Sequence, residues 1–289
     1  MVVLIALAYA YQGPLRKWQN SLGAPVNFLA GIDTAKIDKI ELTQNGKSYE
    51  YDKNGDNWFE AGSKKFPLTE GKVQSFLDEF KKVQNSAIIL VSANKNKKSD
   101  FQTDNSGVEV KLSGNNVSID FVSGKLGSDF ISTYVSKSDS NETYSVKGAL
   151  ASYLENPDWR DPTIFSSDET NITKIRFQYP GRQFTIEKKN NKWVGSSGLI
   201  LNANKVNAVL SEMSVLYAAE IPDQTFAGTG LEKHSIIVEA GGKGIDNVIM
   251  IGDKNKEGLY YAKTGKSDNI YLITQKDRDA LNKKVADLE

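Results

Sequence analysis

Two stretches of the chain carry the same pattern of apolar and polar positions. The segment from Ile37 to Trp58 aligns without a gap with the segment from Ile172 to Trp193, at an offset of 135 residues. Matched apolar residues stay on the same face of each predicted strand, because side chains alternate faces with a period of two. The identical pairs are Ile37/Ile172, Lys39/Lys174, Ile40/Ile175, Gly46/Gly181, Lys53/Lys188 and Trp58/Trp193. The pattern predicts a tandem duplication.

Each copy begins with two predicted strands joined by a glycine-centred turn. Gly46 and Gly181 occupy the turns, and a Trp ends each segment. Asn-Gly or Pro-Gly between apolar runs is typical of a hairpin. Because Trp58 and Trp193 hold equivalent places, we interpret both as packing residues: a copied module needs its core twice, whereas a ligand site is seldom kept twice. The two glycines and two tryptophans are therefore expected structural anchors of the repeat.

An amphipathic helix is expected next in each copy. Thr69 is the candidate N-cap of the first helix, and Asn202 or Asn204 of the second. One face of each helix should cover a sheet, because apolar residues recur at helical spacing. These residues are Val73, Phe76, Leu77, Phe80 and Val83 in the first copy, and Val206, Val209, Leu210, Met213, Leu216 and Tyr217 in the second.

Short alternating runs after each helix predict hairpin-linked antiparallel strands. Tyr144 in the last run of the first copy matches Tyr271 in the second, and we expect both to be further anchors of the repeat. A short helix closes each copy, near 149–154 and 276–285. The predicted fold class is α+β: a tandem duplication of a module whose mostly antiparallel β-sheet is covered by one main amphipathic helix, with a short C-terminal helix per module.

The expected division is an N-terminal segment, 1–31, and two modules, 32–165 and 166–289. The apolar run Val2–Tyr11 is too short to span a bilayer, which takes about 20 apolar residues. No basic region precedes it, so we interpret the run as the outer end of a signal anchor whose start is trimmed or mis-assigned. A cleaved signal peptide and an ordinary buried strand are the alternatives.

The amino-acid composition excludes several kinds of functional site. Lys plus Arg and Asp plus Glu are both 36, so the net charge of zero provides no field to attract nucleic acid. The chain has no Cys, which excludes thiolate metal sites and a Cys nucleophile. His234 is its single His, so a multi-His metal site is impossible, and we interpret it as a surface or turn residue. We expect no catalytic site, cofactor or metal.

The sequences of several loops resemble calcium-binding or phosphate-binding motifs. Asp52–Asp56 and Asp253–Gly258 have the acid and amide alternation of calcium loops, but both lack Glu at the twelfth position, so we interpret them as hairpin turns and keep weak calcium binding as the alternative. Gly241–Gly244 precedes a predicted strand rather than a helix, so it is a turn and not a phosphate loop. The lysines at 95, 97 and 98 belong to a long polar stretch, 92–106, that we expect to be a solvated connection.

The whole pattern resembles the DUF4340 family of bacterial proteins. The resemblance covers residues 32–289 and is carried by the repeated strands and Trp residues, by Gly230–Glu232, by Ile251–Gly252 and by the Tyr-containing strands near 260 and 271. Trp159–Asp161 resembles the module-closing Arg-Asp element of the family. Ser99–Phe101 departs from the pattern, since Gly-Leu-Asp is expected there.

The resemblance implies a function but no functional residues. Members are often linked with ABC transport systems, including the gliding-motility auxiliary component. We therefore expect a non-enzymatic accessory protein in the bacterial cell envelope, extracytoplasmic and anchored by an N-terminal transmembrane segment, or secreted after signal cleavage. Its partner would be an ABC transporter permease or another envelope protein. The alternative is a periplasmic or cell-surface binding module for a glycan or peptide, which exposed aromatics such as Tyr134, Tyr144, Tyr260 and Tyr261 would favour.

Overall fold

The computed structural model describes residues 26–62, 65–196, 198–234 and 236–289. The chain divides into two compact units between Arg160 and Asp161. The expected boundary after residue 165 falls inside Thr163–Ser166, a strand of the second unit. The apolar run Val2–Tyr11 lies outside the described residues, as does most of segment 1–31.

In its described residues, unit 1 has an antiparallel sheet and two α-helices. Its elements are β1 (Ile37–Gln44), β2 (Lys47–Asn54), β3 (Asn57–Glu60), α1 (Lys72–Gln84), β4 (Ile88–Ser92), β5 (Val108–Gly114), β6 (Val117–Leu126), β7 (Ser132–Lys137), β8 (Thr143–Lys147) and α2 (Leu150–Leu154). Short 3-10 helices occupy Thr34–Lys36, Lys95–Lys97 and Ser99–Phe101. The strand order is β3-β2-β1-β5-β6-β7-β8-β4.

Unit 2 has a seven-stranded antiparallel sheet and a separate strand pair. Its elements are β9 (Thr163–Ser166), β10 (Ile172–Tyr179), β11 (Arg182–Lys189), β12 (Lys192–Gly195), α3 (Ala203–Ser214), β13 (Val215–Tyr217), β14 (Ile236–Gly242), β15 (Ile245–Lys254), β16 (Tyr260–Thr264), β17 (Tyr271–Ile273) and α4 (Gln275–Leu281). Its 3-10 helices occupy Glu169–Asn171, Leu231–Lys233 and Val285–Leu288. The main order is β12-β11-β10-β14-β15-β16-β17, and β13 pairs with β9.

The first strands of the two units pair in the same register. Every β1–β2 partner pair from Lys39↔Asp52 to Gln44↔Lys47 recurs 135 residues later in β10–β11, from Lys174↔Glu187 to Tyr179↔Arg182. The α+β class with mostly antiparallel sheets is therefore confirmed, and the alignment read from the sequence corresponds to equivalent backbone positions.

A bulge at the start of each central strand explains two further glycines. The register shifts between Ile37 and Lys39 where β1 meets β5, and β10 shifts against β14 at the equivalent positions. A Cβ atom at Gly114 would overlap the carbonyl oxygen of Lys36, and one at Gly242 would overlap that of Asn171. Only glycine lets the preceding 3-10 helix approach the neighbouring strand so closely.

Aromatic side chains of α1 form the centre of the unit 1 core. Phe76 and Phe80 are fully buried, and the Phe80 ring stacks on Phe121 of β6 with centroids 5.8 Å apart. Burying a side chain of this size contributes about 1.5–3 kcal/mol. The apolar spacing that predicted α1 is thus the spacing that places one helix face on the sheet.

The ends of the helices differ from the sequence expectation. The N-cap of α1 is Gly71, at φ +71°, and the expected Thr69 cap is wrong: the carbonyl of Thr69 instead accepts the N–H of Lys72 at 3.1 Å. Asn202 caps α3 as expected, since its Oδ1 accepts the N–H of Asn204 at 3.0 Å. The expected extension of that helix to Leu216 and Tyr217 is wrong. Both lie in β13, where extended backbone pairs with β9.

In each unit, the hydroxyl of a buried Tyr forms hydrogen bonds with the backbone of the C-terminal segment. In unit 1 the Tyr51 hydroxyl donates to the Pro157 carbonyl at 2.6 Å and accepts the Trp159 N–H at 2.8 Å. In unit 2 the Tyr179 hydroxyl donates to the Lys283 carbonyl at 2.8 Å and accepts the N–H of the same residue at 2.9 Å. Burial raises the pKa of both phenols. Each hydroxyl therefore stays neutral and can act as donor and acceptor at once.

The module-closing Arg of unit 1 is part of the same buried region. Arg160 is buried and forms ion pairs with Asp158 at 2.7 Å and with Glu60 at 3.0 Å. The neighbouring Trp159 ring stacks on Tyr51, with centroids 5.3 Å apart. The Trp-Arg element noted in the sequence is thus a packing element, in which a charge is buried because two carboxylates compensate it.

Candidate functional site

The turn glycines Gly46 and Gly181 and the tryptophans Trp58 and Trp193 occupy equivalent places in the two units. Trp58 faces Lys53 across β2 and β3, and Trp193 faces Lys188 across β11 and β12. Trp193 is buried, whereas Trp58 is only half-buried against the core. The turn glycines adopt nearly the same backbone, with φ +77° at Gly46 and +75° at Gly181. All four are placed to support packing or a turn.

Tyr144 and Tyr271 also occupy equivalent strands but differ in surroundings. Tyr144 is half-buried, and its hydroxyl donates to Glu142; this bond, together with burial, raises the Tyr144 pKa to about 12. Tyr271 is buried, and burial raises its pKa. The four tyrosines whose exposure would favour a binding module, Tyr134, Tyr144, Tyr260 and Tyr261, are not fully exposed. Tyr134 packs on Phe101 with centroids 4.8 Å apart, and all four are half-buried.

The acidic loops are turns, as expected. Asp52 lies within β2, and the connection to β3 is the two residues between Asn54 and Asn57. Asp253 lies in β15 and forms an ion pair with Lys233. Within the described ranges, no group of three or more His, Asp or Glu side chains is arranged to hold a metal ion. Neither loop therefore offers a built cation site.

The remaining loop candidates also fall in turns. Gly241 and Gly242 end β14, and the tight connection to β15 leaves no helix N-terminus for a phosphate. His234 is exposed and ends a 3-10 helix with φ +49°. Its imidazole lies at the surface, as expected from the sequence.

The basic loop is different from the expected solvated connection. Lys95 and Lys97 are exposed, but Lys98 is 9% exposed, and its Nζ donates to the carbonyl of Ser140 at 2.8 Å. Burial lowers the pKa of Lys98. Within the described part of the chain, no carboxylate forms an ion pair with this ammonium, so a buried cation is held by one backbone carbonyl. Three lysines close together in a polar stretch gave no signal of which one is buried.

Lys98 lines two adjoining polar cavities in unit 1. One has a volume of about 650 Å³ and the other about 550 Å³. Both are also lined by Asp104 and Asn105 from the loop before β5, and by Ser138 and Asp139 from the β7–β8 turn. The shared lining makes a polar cleft between these two loops. We call it the Lys98 cleft.

A second surface is the outer edge of β4. Only β8 pairs with β4 among the described strands, so β4 is the last strand of its sheet. Ile89, Leu90 and Val91 are 63%, 45% and 40% exposed. Three consecutive exposed apolar residues on an open edge are unusual for a protein surface, because the unpaired N–H and C=O groups can pair with another strand.

The described chain enters unit 1 directly beside this edge. The side-chain amide of Asn27 donates to the carbonyls of Val83, Gln84 and Ser86, at 2.9, 3.1 and 3.0 Å. These carbonyls lie at the end of α1 and just before β4. Asn27, close to the first described residue, therefore lies next to the start of β4.

The family is decided by a model of the Domain of unknown function (DUF4340), which matches residues 58–225 and 195–289. The chain belongs to the DUF4340 family. No curated protein and no solved structure matches it. In the described part of this DUF4340 protein, no helix is long and apolar enough to cross a membrane.

Proposed function

We propose that this DUF4340 protein is a non-enzymatic, extracytoplasmic, membrane-tethered accessory protein of an ABC-type transporter or another envelope complex. The observation that carries the proposal is the place of Asn27, which fixes the entry of the chain beside the open apolar edge of β4. An N-terminal anchor would hold this edge towards the membrane, where a membrane-embedded partner lies.

The β4 edge suits one kind of partner segment. Its sequence, Ile88–Ser92, contains no charge and no Pro, the residues that normally block an exposed edge. An extended segment of the partner would pair with the free backbone groups and bury its own apolar side chains against Ile89 and Leu90. The proposed occupant is therefore an extended, apolar segment of a membrane-embedded permease or envelope protein.

The repeated register supports a further part of the proposal, that the two units arose by tandem duplication of one module. The β1–β2 pairs, the bulge and the glycine that permits it all recur in unit 2. If the units arose by duplication, this segment became a full strand, β4, only in unit 1. The corresponding segment of unit 2 forms a single β-bridge, between Glu220 and Leu272. The partner edge is thus specific to the first module.

A second candidate function is supported by the Lys98 cleft. Among the described residues no carboxylate lies at ion-pair distance from the Lys98 ammonium, which opens on two polar cavities. Unit 2 has Gly230 in place of Lys98 before the corresponding 3-10 helix. The cleft favours a binding module for a small polar ligand, and such binding is compatible with the tethered role.

The tethered role is tested by crosslinking in the membranes of the source cell. Full-length protein carrying a photo-crosslinking residue at position 89 should capture a transport-system permease or another envelope protein, identified by mass spectrometry. The Leu90→Lys variant should reduce this capture at least tenfold, because a charge at the edge opposes strand pairing. Ile200→Lys is the matched control, since Ile200 of unit 2 is equally apolar and 59% exposed.

The alternative occupants give distinct results in the same experiment. A crosslink from position 89 to residues before 26 would identify the protein's own N-terminal segment, and a crosslink to position 89 of another copy would identify a dimer. Either result, or equal capture by wild type and Leu90→Lys, would overturn the partner proposal. Alkaline phosphatase fused after residue 289 should be active if the units are extracytoplasmic, and inactive otherwise.

A further inference from the structure

We propose that the Lys98 cleft of unit 1 binds a neutral saccharide, whose hydroxyl groups are held by Lys98, Asp104 and Asn105 on one side and by Ser138 and Asp139 on the other. The inference rests on the second candidate function and names its ligand class. It does not depend on the membrane tether or on the β4 edge.

The first argument is the unsatisfied capacity of Lys98. An ammonium group has three donors, and the structure gives one of them a partner, the Ser140 carbonyl. A charged group that is nine-tenths buried loses hydration and is normally compensated by a partner of opposite charge. In the described residues this compensation is absent within ion-pair distance, so the other two donors are available to a ligand in the cleft.

The second argument is the chemistry of the walls. The shared lining offers carboxylate acceptors at Asp104 and Asp139 and an amide at Asn105. Oδ1 of Asp104 already accepts the Ser106 hydroxyl, so its second oxygen is the acceptor for a ligand, and the Ser138 hydroxyl, which donates to Asp120, adds a further acceptor. A sugar hydroxyl donates one hydrogen bond and accepts others, so it satisfies carboxylates and an ammonium together. An apolar ligand would leave these groups unpaired, at a cost in binding free energy. The mixed donors and acceptors therefore select a hydroxyl-rich ligand.

The third argument concerns charge and size. Asp104, Asp139 and Glu109 line the cleft against the two lysines, Lys95 and Lys98. This excess of carboxylates disfavours an anionic sugar, and a neutral one meets no repulsion. The larger cavity, about 650 Å³, lies in the range of sites for small ligands, about 300–1,000 Å³. A neutral di- or trisaccharide fits this volume.

The cleft is held in place by hydrogen bonds that do not involve the proposed ligand groups. The hydroxyls of Thr103 and Thr143 lie 2.8 Å apart, and the Thr103 N–H donates to the Lys98 carbonyl at 2.9 Å. These contacts join the lysine loop to β8. The position of the ammonium is therefore fixed before a ligand arrives, which lowers the entropic cost of binding.

The test is isothermal titration calorimetry of the full chain with maltotriose, cellotriose and tri-N-acetylchitotriose. At least one should bind, and Lys98→Met and Asp139→Asn should each weaken that binding by at least about tenfold, since both remove charge-assisted hydrogen bonds. Lys97→Met, which removes an exposed ammonium that lines neither cavity, should change the affinity less than twofold. Thermal unfolding of each variant shows whether it is folded.

A second measurement keeps the proposal testable if Lys98→Met unfolds. Acetylation of the folded wild-type protein, followed by mass spectrometry, should label Lys98 several-fold more slowly in the presence of the bound trisaccharide, with Lys97, which lines neither cavity, labelled at the same rate. Binding to none of the three sugars would overturn the proposal, as would equal binding by Asp139→Asn. A trialanine peptide that binds in the cleft instead would also overturn it. These outcomes leave capture of a permease at β4 unaffected, so the two proposals fail separately.

Discussion

Units 1 and 2 share the strand order of their main sheets and the register of their first hairpin, but many of their side chains differ. Positions set by backbone geometry are conserved between the units: the glycines of the turns and bulges, and the Trp at the end of the second hairpin. Positions that only fill space have changed. Phe76 in α1 is buried at the place where α3, 133 residues later in the shared apolar spacing, buries Val209. The shared fold therefore requires particular residues at only a few positions, such as the turn and bulge glycines, and residues at the other positions can change and take on new roles.

Truncating the two tryptophans gives the largest expected effect. Trp193→Ala should lower the free energy of unfolding of unit 2 by about 3–5 kcal/mol, because a large buried side chain is removed. Trp58→Ala should cost unit 1 less than half as much, since Trp58 is only half-buried. Hydrogen exchange of the strand amides, measured in the full chain, reports each unit separately. Equal losses in the two units would contradict the difference in burial.

Removing the tyrosine hydroxyls should give a smaller loss, and the loss should be larger in unit 1. Tyr51→Phe leaves the buried N–H of Trp159 without its acceptor, whereas after Tyr179→Phe the half-buried N–H of Lys283 keeps the Leu281 carbonyl, 3.1 Å away. An unsatisfied buried donor costs about 1–3 kcal/mol. Urea unfolding of both variants, compared with wild type, measures the loss. A neutral Tyr51→Phe would show that water replaces the hydroxyl.

Alanine at the turn glycines should cost about 1 kcal/mol in either unit. Gly46 and Gly181 have φ near +75°, where an L-residue is strained, but no atom lies within 4 Å of an added Cβ. Backbone strain alone should therefore set the effect, and Gly46→Ala and Gly181→Ala should match within error in the same urea experiment. Asn at either position should recover most of the stability, because Asn tolerates positive φ.

The smallest predicted effect is a difference in pH dependence. Burial pushes the Glu79 pKa up, but hydrogen bonds from Lys82 and from the backbone N–H of Ala149 outweigh it and hold the pKa below its usual value. Glu79 therefore stabilises unit 1 above the unfolded pKa of about 4.3, and this contribution is lost as the pH falls through the lowered folded pKa. Hydrogen-exchange protection factors in unit 1, which correct for the slower intrinsic exchange at low pH, should fall on acidification, and Glu79→Gln should flatten that response.

Glu212 of α3 should behave in the opposite sense. Burial, and then the charge of Asp277, raise the pKa of Glu212. Its contribution to unit 2 is therefore fully present below the unfolded pKa of about 4.3 and is lost as the pH rises through the raised folded value. At pH 7 Glu212→Gln should slow hydrogen exchange in unit 2, because the cost of the buried charge is removed. Slower exchange in unit 1 as well would show that the units do not respond independently.

Much of the fold could be predicted from the sequence, but the candidate surfaces could not. The ungapped match from Ile37 to Trp58 located four strands, two in each unit, and periodicity located α1 and α3. The errors fell at ends of elements, where Gly71 replaced Thr69 as the cap and β13 replaced the last turn of a helix. Neither Lys98 nor the β4 edge carried a signal, because burial of a loop lysine and exposure of an apolar strand both depend on distant neighbours.

The sequence by itself determined the repeated strands, the glycine turns, the amphipathic helix of each unit and membership of the DUF4340 family, since each of these depends on local spacing or on residue identity. Only the tertiary structure decided which lysine is buried and which strand stays open at the sheet edge. Lys98 is buried because the turn carrying Ser140, 42 residues later, covers it. The β4 edge is open because strand order places it last, and strand order is a property of the assembled sheet.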